Sequence, residues 1–249
     1  MALELTKIRS SLLVAAVFVV PAFAQEDPHW SYEGATGPLH WGQLTPDYAM
    51  CEQGRNQAPI DIAGALDAAE KPLRPRYETG SRDIVNNGHT VEIGFEPGNT
   101  LVVDGTTFTL QQMHFHAPSE NQIAGRSFPL EAHLVHADAQ GNLLVVALMF
   151  EEGPANGALA KLAPVLPATS GSAAPLPNAV TPAALLPKSL SYYRFSGSLT
   201  TPPCTEGVRW IVLKTPVSAS KAQLEAFEHA MGHHNNRPVQ PLNGRVVIF

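Results

Sequence analysis

Cysteine is scarce in this chain: its 249 residues hold two, Cys51 and Cys204. Two cysteines so far apart cannot build a zinc finger by themselves, so any metal must be held by other residues. Charge is also thin. Only 15% of residues are charged against 44% hydrophobic, which excludes an intrinsically disordered chain. The 16 basic side chains form no run and are outnumbered by 22 acidic ones, which excludes nucleic acid as a partner. There is no internal repeat and no collagen-like period. What the chain has in quantity is turn residues, 22 prolines and 19 glycines, which favour short strands over long helices. The length suits one large domain or two small ones.

Long apolar runs are missing as well. Lys7 and Arg9 precede the run from Leu12 to Val20, followed by Pro21 and Ala22-Phe23-Ala24. That is the layout of an export signal cleaved after Ala24. Nine apolar residues cover about half of the ~20 that a membrane anchor needs. No cysteine sits at the cleavage site to take a lipid. The expected mature chain is therefore residues 25–249, a single domain, periplasmic or secreted, with no membrane association. Export changes how the cysteines read, since thiols pair in oxidising compartments. A Cys51–Cys204 disulfide is expected over two buried thiols, restricting the unfolded chain by as much as roughly 5 kcal/mol.

Segments Val91 to Phe95, Leu101 to Val103, Thr106 to His116, Glu131 to Ala137 and Leu143 to Phe150 read as strands. Asn87-Gly88, Asp104-Gly105 and Gly141-Asn142 supply the clearest turns between them. Leu159 to Leu162 and Lys221 to Met231 read as helices, the second opened by Ser220 and Gln223 in a capping-box arrangement. Trp30, Tyr32 and Trp41 are expected to pack as a small structural cluster. The proline-rich stretch from Ala163 to Pro187 reads as a long surface loop. The fold class is mainly β (α+β by some schemes): one domain on a large twisted, mostly antiparallel central sheet with short peripheral helices.

The chemistry concentrates in the histidines. His114 and His116 stand two apart on one strand, so both side chains leave the same face while Phe115 leaves the other. A second strand carries Glu131, His133 and Val135 on one face, and the 17 residues from His116 to His133 suffice for a hairpin that brings the faces together. Three neutral imidazoles leave the fourth tetrahedral position of Zn²⁺ open, the mark of catalytic rather than structural zinc. Gln112 and Glu131 each lie two residues before a histidine, placed to accept a hydrogen bond from its other ring nitrogen.

These residues resemble the α-class carbonic anhydrases, in particular their exported bacterial branch. The resemblance rests on Gln112-Met113-His114-Phe115-His116, Glu131-Ala132-His133-Leu134-Val135-His136 and Gly197-Ser198-Leu199-Thr200-Thr201-Pro202-Pro203-Cys204. It extends to Trp30 to Trp41, Gln57-Ala58-Pro59-Ile60-Asp61, Ser119-Glu120-Asn121-Gln122, the cysteine pair, and the Asn-Arg-Pro-x-Gln-Pro stretch within Asn235 to Leu242. It covers nearly the whole mature chain.

The resemblance implies reversible hydration of CO₂ to bicarbonate and a proton by attack of zinc-bound hydroxide, with one Zn²⁺ per chain on His114, His116 and His133. Gln112 and Glu131 would orient His114 and His133. Thr200 would accept a proton from the hydroxide and donate its own to Glu120. Thr201 would contact bicarbonate, and Val135, Val145, Leu199, Val208 and Trp210 would form the apolar wall for CO₂. His89 would be the proton shuttle, with Asn86 and Asn87 holding waters on its path. His29, His40, His136, His229, His233 and His234 read as surface or structural residues, with His233-His234 open to adventitious metal. Sulfonamide and anion inhibitors are expected, and the oligomeric state, including a homodimer, is left open. Ala117-Pro118 and a recut Glu120 to Glu131 hairpin depart from the animal members without removing a catalytic atom. Rival readings are a catalytically dead binding relative, a zinc hydrolase acting on esters, here expected only as a side activity, and a His-rich metal scavenger.

Overall fold

The computed structural model describes residues 29–249; the export signal falls outside the described residues. The strands are β1 (Asp61–Ile62), β2 (Ser81–Asn86), β3 (Val91–Phe95), β4 (Thr100–Val103), β5 (Thr106–His116), β6 (Gln122–Ile123), β7 (Leu130–Ala137), β8 (Leu143–Glu152), β9 (Ala173–Pro175), β10 (Tyr192–Ser198), β11 (Glu206–Leu213) and β12 (Val217–Ala219). The helices are short: α1 (Trp41–Leu44), α2 (Met50–Gln53), α3 (Gly157–Leu162) and α4 (Lys221–Met231). One sheet runs β10-β11-β8-β7-β5-β3-β2-β9, with β4 paired to β5 and β12 to β8. β8 pairs parallel with β11 and β12; the other pairs of this sheet are antiparallel. The proline-rich stretch is not all loop, because its Ala173–Pro175 adds the edge strand β9 to β2.

The centre of the sheet is buried on both faces, and β8 shows why its sequence reads as a continuous apolar run. Leu144, Val146, Leu148 and Phe150 join the larger core with α3 and α4. Val145, Ala147 and Met149 point the other way, into a second cluster with Val208 and Trp210. β7 divides likewise, Leu130, Ala132 and Leu134 entering the larger core.

β5 contains the irregularity on which the site depends. Leu110 pairs with His136, but Gln112 pairs with Val135, so Gln111 is an extra residue in the ladder. Before it the even positions Phe108 and Leu110 enter the larger core; after it the odd positions Met113 and Phe115 do. This bulge inverts the alternation and sends Gln112, His114 and His116 to the opposite face. Phe115 is held from behind by Phe227 of α4, ring centroids 4.5 Å apart. That helix has the expected capping box of Ser220 and Gln223 and ends on Gly232 in the left-handed conformation.

His136 lies on the core side of β7 and is fully buried. Its Nδ1 donates to the Leu134 carbonyl at 2.9 Å and its Nε2 accepts from the Tyr77 hydroxyl at 2.8 Å. Burial pushes its pKa down from 6.5 to about 4. The folded protein therefore holds His136 neutral while the unfolded chain protonates it, so its contribution to stability is complete above pH 6.5 and is lost as pH falls toward 4. At about 1.4 kcal/mol per unit, the loss amounts to about 3 kcal/mol. In urea unfolding, the stability difference between wild type and His136→Gln is expected to shrink across that window, and a constant difference would contradict the account.

Candidate metal centre

β5 and β7 place His114 directly opposite His133 in the ladder, with His116 opposite Glu131. One ligand nitrogen from each of His114, His116 and His133 lies within 4.8 Å of the others. The rings are 4.5 to 5.2 Å apart between centroids.

Each ring has its N–H fixed from outside the triangle. His114 Nδ1 donates to Gln112 Oε1 at 2.8 Å, and His133 Nε2 donates to Glu131 Oε1 at 2.9 Å. His116 Nδ1 donates to the backbone carbonyl of Asn235 at 2.7 Å. The free lone pairs are therefore Nε2 of His114, Nε2 of His116 and Nδ1 of His133. Burial, and for His114 and His133 neighbouring histidines as well, lowers all three pKa values, favouring the neutral form a metal requires. His116 Nε2 is buried and has no hydrogen-bond partner among the described residues. A buried orphan lone pair of this kind is costly unless a cation takes it up. Three neutral nitrogens without thiolate suit zinc with a fourth position for water.

Asn235 is the supporting residue that strand parity does not reveal. The position two before His116 on its own strand is His114, so the third ligand's partner had to come from elsewhere. Besides accepting from His116, Asn235 accepts from the Ala117 N–H at 2.8 Å through Oδ1. Its Nδ2 donates to the carbonyls of Phe115 and His89 at 2.8 and 3.0 Å. The only sequence sign was its place at the start of the carboxy-terminal motif.

Two acids fill different positions. Glu131 accepts from the backbone N–H groups of Glu120 and Asn121 and from the Asn121 amide, besides His133. Glu120 is buried, with Oε1 accepting from the Arg237 N–H at 2.9 Å and Oε2 standing 3.5 Å from His116 Nε2. Burial pushes Glu120 up to about 8, while the Arg237 N–H and the Thr200 side chain hold the rise back. Arg237 is itself buried, its guanidinium donating to Gln57 Oε1 and to the carbonyls of Ala58 and Cys51. Burial lowers its pKa to about 10, still charged at neutrality. Cys51 and Cys204 are joined, which ties α2 to the loop carrying Leu199, Thr200 and Thr201.

Beside the triangle, Val135, Val145, Leu199, Val208 and Trp210 belong to one apolar cluster. Val135 and Trp210 both pair with Val145 across adjacent strands, and the Trp210 ring stands edge-on to His133 at 5.0 Å. His89 is half-buried and stacks on Trp30 at 3.8 Å and 10°. The amino-terminal aromatic cluster thus reaches His89 as well as packing against Cys51 and Cys204. Asn86 differs from the water-holding role expected of it. Its side chain is buried and spent on the carbonyls of Pro167 and Ala230 and the Gly88 N–H, so it clips the turn in place.

Gln112→Ala leaves the His114 N–H without its acceptor. Zinc affinity measured by competition with a chelator is expected to fall about 10-fold or more while the fold is kept; unchanged affinity would show that this bond does not orient the ring.

The family model for "Eukaryotic-type carbonic anhydrase" matches residues 36–249. The chain is 52% identical over 242 residues to a carbonic anhydrase of Pectobacterium carotovorum, covering 97% of this chain and 98% of that one. It is 46% identical over 245 residues to one from Neisseria gonorrhoeae, covering 98% and 97%. The structure of the α-carbonic anhydrase of Thermovibrio ammonificans, solved in complex with the inhibitor sulfanilamide, superposes with a TM-score of 0.87 at 49% identity, covering 89% of this chain and 99% of that one. Matches of this extent, over a sheet that brings three histidines together, make the chain a member of the α-carbonic anhydrase family of lyases.

Proposed function

We propose that the chain is a zinc-dependent carbonic anhydrase that interconverts CO₂ with bicarbonate and a proton, using one zinc on His114, His116 and His133. The observation that carries the reading is the triangle itself, three neutral imidazoles whose protons are all claimed from outside, with one inward nitrogen buried and unpartnered among the described residues. Bound there, zinc supplies a nucleophile at neutral pH by lowering the pKa of a coordinated water to about 7, a magnitude that belongs to carbonic anhydrases generally.

The protein's own groups then orient the reactants. Thr200 donates its hydroxyl proton to the Glu120 carboxylate and keeps its lone pairs as acceptor for the attacking oxygen, which a hydroxyl can do because it donates and accepts at one atom. A divalent charge in the triangle favours the carboxylate form of Glu120 against the effect of burial. CO₂ has little polarity and suits the wall of Val135, Val145, Leu199, Val208 and Trp210, while Thr201 contacts the bicarbonate product. His89 takes the released proton outward, imidazole being the side chain that changes charge nearest physiological pH; burial, and then the neighbouring His29 and His233, hold it below the ordinary histidine value, which favours release of the proton it carries.

The domain is residues 25–249 after removal of the export signal, and the protein works in the periplasm or outside the cell. The disulfide supports an oxidising location, and no helix among the described residues is long and apolar enough to cross a membrane. Primary sulfonamides are expected to inhibit, as sulfanilamide does the Thermovibrio protein.

Purified protein is expected to hold one zinc per chain, to hydrate CO₂ in stopped flow, and to lose activity to a strong chelator and to His114→Ala. Thr200→Ala should lower kcat/KM by about 10²-fold, the usual scale for a positioned proton-handling group. Full activity after complete zinc removal would sink the reading.

A further inference from the structure

Gln57 is buried, and neither the metal triangle nor the apolar wall uses it. Its side-chain amide joins two parts of the site. Oε1 accepts from the Arg237 guanidinium at 2.8 Å, and Nε2 donates to the Cys204 carbonyl and to Glu206 Oε1, both at 3.0 Å. A guanidinium only donates, while a carbonyl or carboxylate only accepts, so the amide can stand in one orientation alone. Against the effect of burial, the Gln57 amide and the Asn56 and Arg55 N–H groups hold the Glu206 carboxyl below its usual pKa, which keeps it an acceptor at neutral pH.

On one side of this amide is the loop between β10 and β11, which carries Leu199, Thr200 and Thr201. The loop is closed by the Leu199 N–H on the Thr205 carbonyl at 2.9 Å and by the Cys204 N–H on the Thr201 carbonyl at 2.8 Å. Cys204 has a φ of 57°, left-handed backbone that a residue other than glycine keeps only where its surroundings fix it. The disulfide fixes its sulfur but leaves the following peptide free to turn, and Gln57 holds that peptide by its carbonyl. On the other side is Arg237, whose backbone N–H holds Glu120 Oε1 at 2.9 Å.

We infer that Gln57 is a positioning residue for the hydration reaction: by tying the Cys204 carbonyl to the Arg237 clamp, it keeps the Thr200 hydroxyl in register with Glu120. The inference rests on the roles proposed for Thr200 and Glu120. The partners of the Gln57 amide are Arg237, Cys204 and Glu206, none of them a metal ligand. Gln57 therefore acts through Thr200, and the imidazole triangle keeps its own acceptors whether or not the amide is there.

The test uses the zinc-loaded mature protein and the paired variant Gln57→Glu, Glu206→Gln. The exchange keeps an acceptor for Arg237 and a hydrogen bond between positions 57 and 206, and lacks only the donor to the Cys204 carbonyl. Its kcat/KM for CO₂ hydration, read per bound zinc, is expected to fall about tenfold, within the ~10²-fold that a misplacement of about 1 Å can cost. In a double-mutant cycle, the same exchange made in Thr200→Ala is expected to cost less than about twofold, because the group it positions is already gone. A merely structural role would slow both backgrounds alike. Equal losses in the two, or an exchanged pair at the wild-type rate, overturn the inference. Should the exchanged pair fail to fold, Gln57→Met goes through the same cycle and the same outcomes decide. Thr200→Ala alone separates the two readings, because a wild-type rate there removes the role of Thr200 itself.

Discussion

Three imidazoles offer their lone pairs to one point only if each has a reason to keep its proton on the far nitrogen. A neutral histidine is free to choose either tautomer, and three free choices would leave most molecules with at least one N–H aimed into the centre. Gln112, Glu131 and the Asn235 carbonyl remove that freedom with one short hydrogen bond each. The surrounding polar network supports those acceptors in turn. Glu131 is fixed by Asn121 and the Glu120 N–H, and the stretch after Asn235 is fixed by the buried guanidinium of Arg237. A buried charge without such partners would be worth several kcal/mol of destabilisation, so Arg237 is tolerated only because the chain around it supplies carbonyls.

The sheet contributes something different, namely direction. A regular β5 would keep one parity facing the larger core along its whole length, and His114 and His116 would then lie under α4 with Phe108 and Leu110. The extra residue at Gln111 resolves the conflict. The first half of the strand packs by its even positions and the second half by its odd ones, so Phe115 can reach Phe227 while its two histidine neighbours face His133. The two apolar clusters separated by the sheet are thus unequal in purpose: one fills the space under the helices, and the other borders the metal triangle with valines and Trp210.

Most of this was legible in the sequence because it is local. The i, i+2 spacing of His114 and His116 and the matched spacing of Gln112 and Glu131 are strand-parity facts, and β5 and α4 fall on the bounds that alternation and the capping box indicate. The bulge was not legible, since the histidines share a face with Gln112 whether or not the strand flips before them. Asn235 and Arg237 act across more than a hundred residues through backbone groups, which leave no periodic trace. The clip made by Asn86 was misread for the same reason, its partners being carbonyls of Pro167 and Ala230. The strand within the proline-rich stretch was hidden because an edge strand needs hydrogen bonds on one side only, which turn-rich sequence can supply.

The Arg237 clamp bears on the order in which the site is made. Its guanidinium reaches back to Cys51 and Gln57, its N–H holds Glu120, and Asn235 just before it fixes His116. The ligands themselves are synthesised by residue 133, yet one of them has no orienting partner until more than a hundred further residues have been added. A growing chain therefore carries all three imidazoles long before it carries a finished coordination cage, and tight metal capture becomes an event of the completed polypeptide.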